Sequence, residues 1–222
     1  PTRQAAMTAR NYGQACSVAR FLDVLGTRWT LLIVRDLLAR PRRFKELLAS
    51  APSMGPNLLS VRLRELGEAG IVEKTRAPGQ VEHYTLTEKG RALEPVIHEM
   101  VRWSLQYVAT DPDDPGVSRP DLLVVAFAAL FDPAGAKGID EAYELHVDEV
   151  VFHLNVKDGS LETGAGPAED PAFIMTTSAR TLDQLGTGAT DMETELEKGE
   201  VTIAGDVKAV ARFADAFGGI RE

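Results

Sequence analysis

An α+β chain of two modules is what the sequence predicts, on three observations. The first half reads as short helices followed by a strand pair and a further helix. The second half reads as a sheet covered by helices. Charge divides along the same line. Residues 1–110 hold 16 Lys/Arg against 10 Asp/Glu, a net of +6, while residues 111–222 hold 8 against 23, a net of −15. The overall −9 conceals this split, and a basic half joined to an acidic half is the pattern of two modules with different partners.

In the first module, apolar residues at 18, 21, 22 and 25 give Val18–Leu25 helical spacing, and Gly26 ends that helix. Thr27 is placed to cap a second helix, Arg28 to about Ala39, which Pro41 breaks. Phe44, Leu47 and Leu48 make a third short helix that stops before Pro52. A fourth runs from Pro56 to Ala69 with Leu59, Leu63 and Leu66 on one face and Gly70 as its stop. Ile71–Arg76 and Val81–Leu86 flank the turn Ala77-Pro78-Gly79-Gln80 and predict a β-hairpin. Thr87-Glu88-Lys89-Gly90 leads into a longer helix, Arg91 to about Val108. The division is set at 1–110, a linker at 111–120 and 121–222. Pro112, Pro115, Pro120, Gly116 and four aspartates within Thr110–Asp121 suit neither a helix interior nor a central strand.

Short helices, a hairpin and a further helix make the winged helix-turn-helix plan, in which a braced helix enters the major groove and a β-wing lies along the backbone. Opposite the leucine face of the fourth helix, Asn57, Ser60, Val61 and Arg64 fall at i, i+3, i+4 and i+7. Asn bonds adenine edges, Arg bonds guanine bidentately, and a small apolar side chain meets a thymine methyl. Lys74, Arg76 and Gln80 surround the hairpin tip and suit phosphate or minor-groove contact; Arg28 and Arg43 complete the candidate DNA-binding set. A plain solvated helix face is the competing reading of the same residues. The ensemble of element order, hairpin and positive charge favours double-stranded DNA.

These residues resemble the HxlR-type transcriptional regulators. The likeness is carried by Cys16-Ser17-Val18, Leu25-Gly26-Thr27-Arg28-Trp29, Arg43-Phe44-Lys45-Glu46-Leu47, Leu63-Arg64-Glu65-Leu66 with Gly70-Ile71-Val72, and Tyr84-Thr85-Leu86-Thr87-Glu88-Lys89-Gly90. It spans about residues 14–108 and implies binding of operator DNA as a homodimer. Ser17 stands where the family typically has proline. The last helix supports a dimer independently, with Leu93, Val96, Ile97, Met100, Ser104, Tyr107 and Val108 on one broad stripe. Packing within the chain is the alternative use of that stripe. A two-fold dimer presents two recognition helices about 34 Å apart to a palindromic site.

The second module opens on an apolar helix, Leu122–Leu130. Strands follow at Tyr143–Val147 and Val150–Val156, a turn at Lys157-Asp158-Gly159, and a return strand at Ser160–Thr163. After a loop at Gly164–Pro171 comes a strand at Phe173–Thr177, then a helix capped by Ser178 at Ala179–Gly186. A helix around Met192, Glu193 and Leu196, a strand at Val201–Ile203 and a helix at Val207–Phe217 end the domain. This half resembles the sterol-carrier-protein-like domains through Phe152-His153-Leu154-Asn155-Val156 with Asp158-Gly159, Phe173 to Thr177, Leu182 with Gly186, and Gly199 through Ile203-Ala204-Gly205-Asp206. The resemblance implies an apolar tunnel between sheet and helices and a lipophilic small-molecule effector. Candidate ligand contacts are Phe127, Phe131, Phe152, Leu154, Phe173, Leu182, Leu185, Met192, Leu196 and Phe213. A solid core that only assists dimerisation is the alternative.

Other chemistry finds little purchase. No run approaches the ~18 apolar residues of a membrane span, and no charged-then-apolar leader opens the chain. A single cysteine, Cys16, rules out an internal disulfide or a multi-cysteine zinc cage, so the cytoplasm is expected. His83, His98, His146 and His153 do not cluster at ligand spacing, no Gly-x-Ser-x-Gly elbow is present, and no cofactor or enzymatic activity is expected. Some HxlR-type regulators sense oxidants through an N-terminal cysteine. Cys16, with Arg20 one turn away, is therefore a redox candidate beside the simpler reading of an incidental thiol.

Overall fold

The computed structural model describes residues 11–76, 81–108 and 119–218. Two compact units divide at Glu94/Pro95.

The first unit holds α1 (Ser17–Leu25), α2 (Thr30–Ala39), α3 (Phe44–Ala49) and α4 (Pro56–Glu68). The hairpin of β1 (Val72–Thr75) and β2 (His83–Leu86) follows, then the short α5 (Glu88–Arg91). Leu25, Val34, Leu37, Leu47, Leu59 and Leu66 are buried at its centre. Arg42 extends the hairpin by an isolated bridge, donating its N–H to the Tyr84 carbonyl at 3.0 Å and accepting the Tyr84 N–H at 2.7 Å. The Thr-Glu-Lys-Gly segment is a clamp. Thr87 Oγ1 donates to the Gly70 carbonyl and accepts the Gly90 N–H, while Lys89 Nζ reaches the Ala69 carbonyl at the end of α4. Gly90 is required there, because a Cβ would lie 2.2 Å from the Ile71 carbonyl oxygen.

Two expected helices of the first module change. The second helix starts at Thr30 rather than Arg28, because Trp29 adopts a left-handed φ of 80° and Thr27 bonds the Thr30 hydroxyl instead of capping. The helix expected from Arg91 to Val108 is two helices, α5 and then α6 (Glu94–Tyr107). Pro95 explains the break, since it has no N–H to carry the helical ladder back to Arg91. The hairpin turn at 77–80 and residues 111–118 of the expected linker lie outside the described residues.

The second unit contains α6, a 3₁₀ turn at Pro120–Leu122, and α7 (Leu123–Leu130). Its strands are β3 (Asp140–Val147), β4 (Val150–Lys157), β5 (Ser160–Ala165), β6 (Phe173–Thr177) and β7 (Thr202–Gly205), and its remaining helices α8 (Ala179–Gly186), α9 (Met192–Lys198) and α10 (Val207–Phe217). The sheet order is β5-β4-β3-β6-β7, with β3 and β6 parallel and the other pairs antiparallel. Alternation decides the faces. Tyr143, Leu145, Val147, Phe152, Leu154, Phe173 and Met175 enter the core, and Phe127 of α7 with Phe213 and Phe217 of α10 close over them. No helix among the described residues is long and apolar enough to cross a membrane.

Candidate nucleic-acid interface

Helix α4 sorts its residues as a groove-reading helix requires. Pro56 occupies its first turn, where a missing N–H costs nothing. Leu59, Leu63 and Leu66 are buried; Asn57, Ser60 and Arg64 are exposed, and Val61 is half-buried at the edge of the face. Two arginines two residues apart have opposite fates. Arg62 is 7 % exposed, donates to the Arg28 carbonyl at 3.3 Å and pairs with Glu65 at 2.6 Å, so it braces α4 against the turn before α2. Arg64 points outward and makes no ion pair among the described residues. The Ser60 hydroxyl donates back to the Pro56 carbonyl at 3.0 Å, which leaves its lone pairs outermost.

The surrounding cations are arranged unequally. Arg28 is exposed, its guanidinium 4.7 Å from the centroid of Trp29. Arg43 is exposed at the start of α3, where Glu46 accepts its backbone N–H at 2.6 Å and its Nε faces His83 Nε2 at 3.4 Å. In the hairpin, Lys74 pairs with Glu82 at 2.8 Å and sits 5.3 Å from the Tyr84 ring centroid. The hydrogen bond to Glu82 holds the Lys74 ammonium above its usual pKa. Arg76 is exposed at the end of the described strand, and Gln80 falls outside the described residues. Sequence reasoning passed over Arg62 and did not anticipate the Lys74–Glu82 pair; the half-exposed i+3 partner Glu65 was the available signal for Arg62.

Cys16 is exposed immediately before α1, and the N–H groups of Ala19 and Val18 lower its thiol pKa from the ordinary value. On α6, Ile97 is buried while Val96, Met100, Tyr107 and Val108 of the expected stripe are exposed, as is Trp103, which packs on Tyr107 at 5.7 Å between centroids.

The ten ligand-contact candidates of the second unit behave less uniformly. Phe127, Phe152, Leu154, Phe173 and Phe213 are core residues, and Phe131, Leu182, Leu185 and Met192 pack partly buried against them. Leu196 is set apart, 41 % exposed on α9. Aromatic rings fill the space between sheet and helices: Phe127, Tyr143 and Phe173 each lie within 5.1–6.5 Å of Phe213 or Phe217. An open cleft of about 770 Å³ lies elsewhere, and its charged lining is mostly acidic: Asp140, Glu141, Glu162, Glu169 and Asp170, with Lys157. On the sheet face turned away from the core, buried Glu144 pairs with His146 at 2.5 Å and accepts the Ala168 N–H at 2.9 Å, which pins the loop after β5. The hydrogen bond from His146 holds the Glu144 carboxyl below its usual pKa.

A braced helix with an outward, unpaired polar face beside a hairpin defines a helix-turn-helix DNA-binding protein. Comparison with known proteins places it more closely. Residues 24–112 match the HxlR-like helix-turn-helix family, and residues 109–221 match the alkyl sulfatase C-terminal family. YvaP, an HTH-type transcriptional regulator of Bacillus subtilis (strain 168), is 38 % identical over 90 residues, which are 39 % of this chain and 82 % of YvaP. The HTH-type transcriptional regulator YodB of the same organism is 42 % identical over 87 residues, 38 % of this chain and 78 % of YodB. The solved reduced form of YodB is 36 % identical with a TM-score of 0.38, over 47 % of this chain and 100 % of that one. The chain belongs to the HxlR-like family of transcriptional regulators through its first half, and to the alkyl sulfatase C-terminal family through its second. The family match supports a distinct second domain, for which the sterol-carrier likeness stays a reading of the residues.

Proposed function

We propose that this chain is a cytoplasmic regulator that binds a palindromic operator as a homodimer and acts by binding rather than catalysis. In this reading Asn57, Ser60, Val61 and Arg64 meet base edges, while Arg28, Arg43, Lys74, Arg76 and Gln80 meet backbone or minor groove. The observation that carries it is the contrast on α4, where Arg62 is committed to the fold and Arg64 is left outward. The exposed Val96, Met100, Trp103, Tyr107 and Val108 supply the apolar surface for the dimer. The test is operator selection from random duplexes by the full chain, with sedimentation of the bound species. A selected site without two-fold symmetry, bound by one chain, overturns the dimeric reading.

The second unit is read as a sterol-carrier-like effector domain for a hydrophobic small molecule. Its sheet with helices over one apolar face supports this, as does the match to a family named for alkyl sulfatases. With the core filled by rings, such a molecule enters by displacing side chains, and the half-buried residues of α8 and α9 are the ones that yield. Redox control through Cys16 is the second reading, favoured by its exposure and its lowered thiol pKa.

A further inference from the structure

Thr177 ends β6, and its Oγ1 is a buried polar atom with no hydrogen-bond partner among the described residues, in a residue 8 % exposed. It shares the inward face of the strand with Phe173 and Met175 and stands opposite Val147 of β3. Native cores rarely leave a hydroxyl in that state, and valine fills the same volume without the penalty. The neighbouring polar groups are all engaged: the Thr177 carbonyl accepts from Asp148, and Ser178 and Thr181 bond each other.

The packing around Thr177 is lopsided. Towards α7 and α10 the core is closed by Phe127, Phe213 and Phe217, all buried. Leu182 and Leu185 of α8, which begins two residues after Thr177, are only partly buried against the core, as is Met192 of α9, and Leu196 is exposed.

We propose that Thr177 is the polar anchor of the effector site, and that the site takes a neutral amphiphile with one hydrogen-bonding head, such as a long-chain alcohol. This rests on the effector reading above. A lone hydroxyl offers one donor and two lone pairs, enough for a neutral head, but it cannot offset the burial of a charged one. The site also has a route outward. Gly186 closes α8, and a Cβ there would lie 3.4 Å from Leu105 of α6, so movement of α8 presses on the helix that carries the exposed apolar stripe.

The test uses the full-length protein as wild type, Thr177→Val and Thr177→Ser, with 1-decanol and decanoate followed by calorimetry and thermal shift. Without ligand, Thr177→Val melts higher than wild type. It binds 1-decanol about 3- to 10-fold more weakly, as loss of one hydrogen bond requires, while Thr177→Ser keeps wild-type affinity. Wild type prefers 1-decanol to decanoate. Equal affinity of wild type and Thr177→Val for 1-decanol overturns the anchor and leaves the effector reading standing. Tighter binding of decanoate overturns the neutral head. Failure of both compounds to bind wild type overturns the effector reading and the anchor with it.

Discussion

Arg62 and Arg64 occupy the same helix, carry the same charge and yet are expected to fail in different assays. Arg64→Ala removes an outward guanidinium that no described residue pairs. If it reads a base pair, the loss at the selected operator is about 1–3 kcal/mol, or about 5- to 150-fold in Kd. Preference at one base position relaxes, and the melting temperature stays put. Arg62→Ala removes a guanidinium that donates to the Arg28 carbonyl and pairs with Glu65. The bond to the carbonyl is charge-assisted and enclosed, worth about 2 kcal/mol; the Glu65 partner is half-exposed and adds little. In a unit of this size that lowers Tm by roughly 8–16 °C. Fluorescence anisotropy on the selected operator and on a scrambled duplex, alongside thermal melts, separates the two. If Arg64→Ala binds the operator as wild type does, α4 is not read by that face. If Arg62→Ala melts with wild type, the brace assigned to it is wrong.

Arg76→Ala should weaken all duplexes alike and reduce the salt slope by about 1, which titration at several salt concentrations checks. Gly90→Ala should destabilise the first unit strongly, since its Cβ meets the Ile71 carbonyl at 2.2 Å, and a wild-type melt would refute the clamp. Diamide should alter operator affinity of wild type but not of Cys16→Ser, and an identical response from both removes the redox reading. Glu144 has a folded pKa below its unfolded one, so its contribution is complete above about pH 4.3 and is lost as pH falls through the folded value. Glu144→Gln should therefore melt lower than wild type at pH 7, with the difference shrinking in acid.

How far the sequence could be read depended on whether one segment or two decided the outcome. Periodicity within a segment placed α4, β6, α8 and α10 almost residue for residue, because each buried face belongs to one helix or strand. Local backbone chemistry was readable too but passed over: Pro95 carried the break between α5 and α6. What pairing decides was not legible. Nothing in the spacing of Lys74 shows that Glu82 of the facing strand reaches it, and nothing around Arg62 shows that the Arg28 carbonyl waits 34 residues away. The same limit explains the second unit. Alternation correctly turned Phe152, Leu154 and Phe173 inward, but a tunnel and a filled core present the same inward residues. The difference lies in whether Phe213 and Phe217 of α10 reach Tyr143 and Phe173, and at 5.1–6.5 Å between ring centroids they do. In such a core the hydroxyl of Thr177 stands out by chemistry rather than by shape, since every apolar neighbour is satisfied by contact alone and it is not. A valine there that neither stabilises the protein nor alters amphiphile binding would mean that the hydroxyl finds its partner in bound water and that Thr177 anchors no ligand.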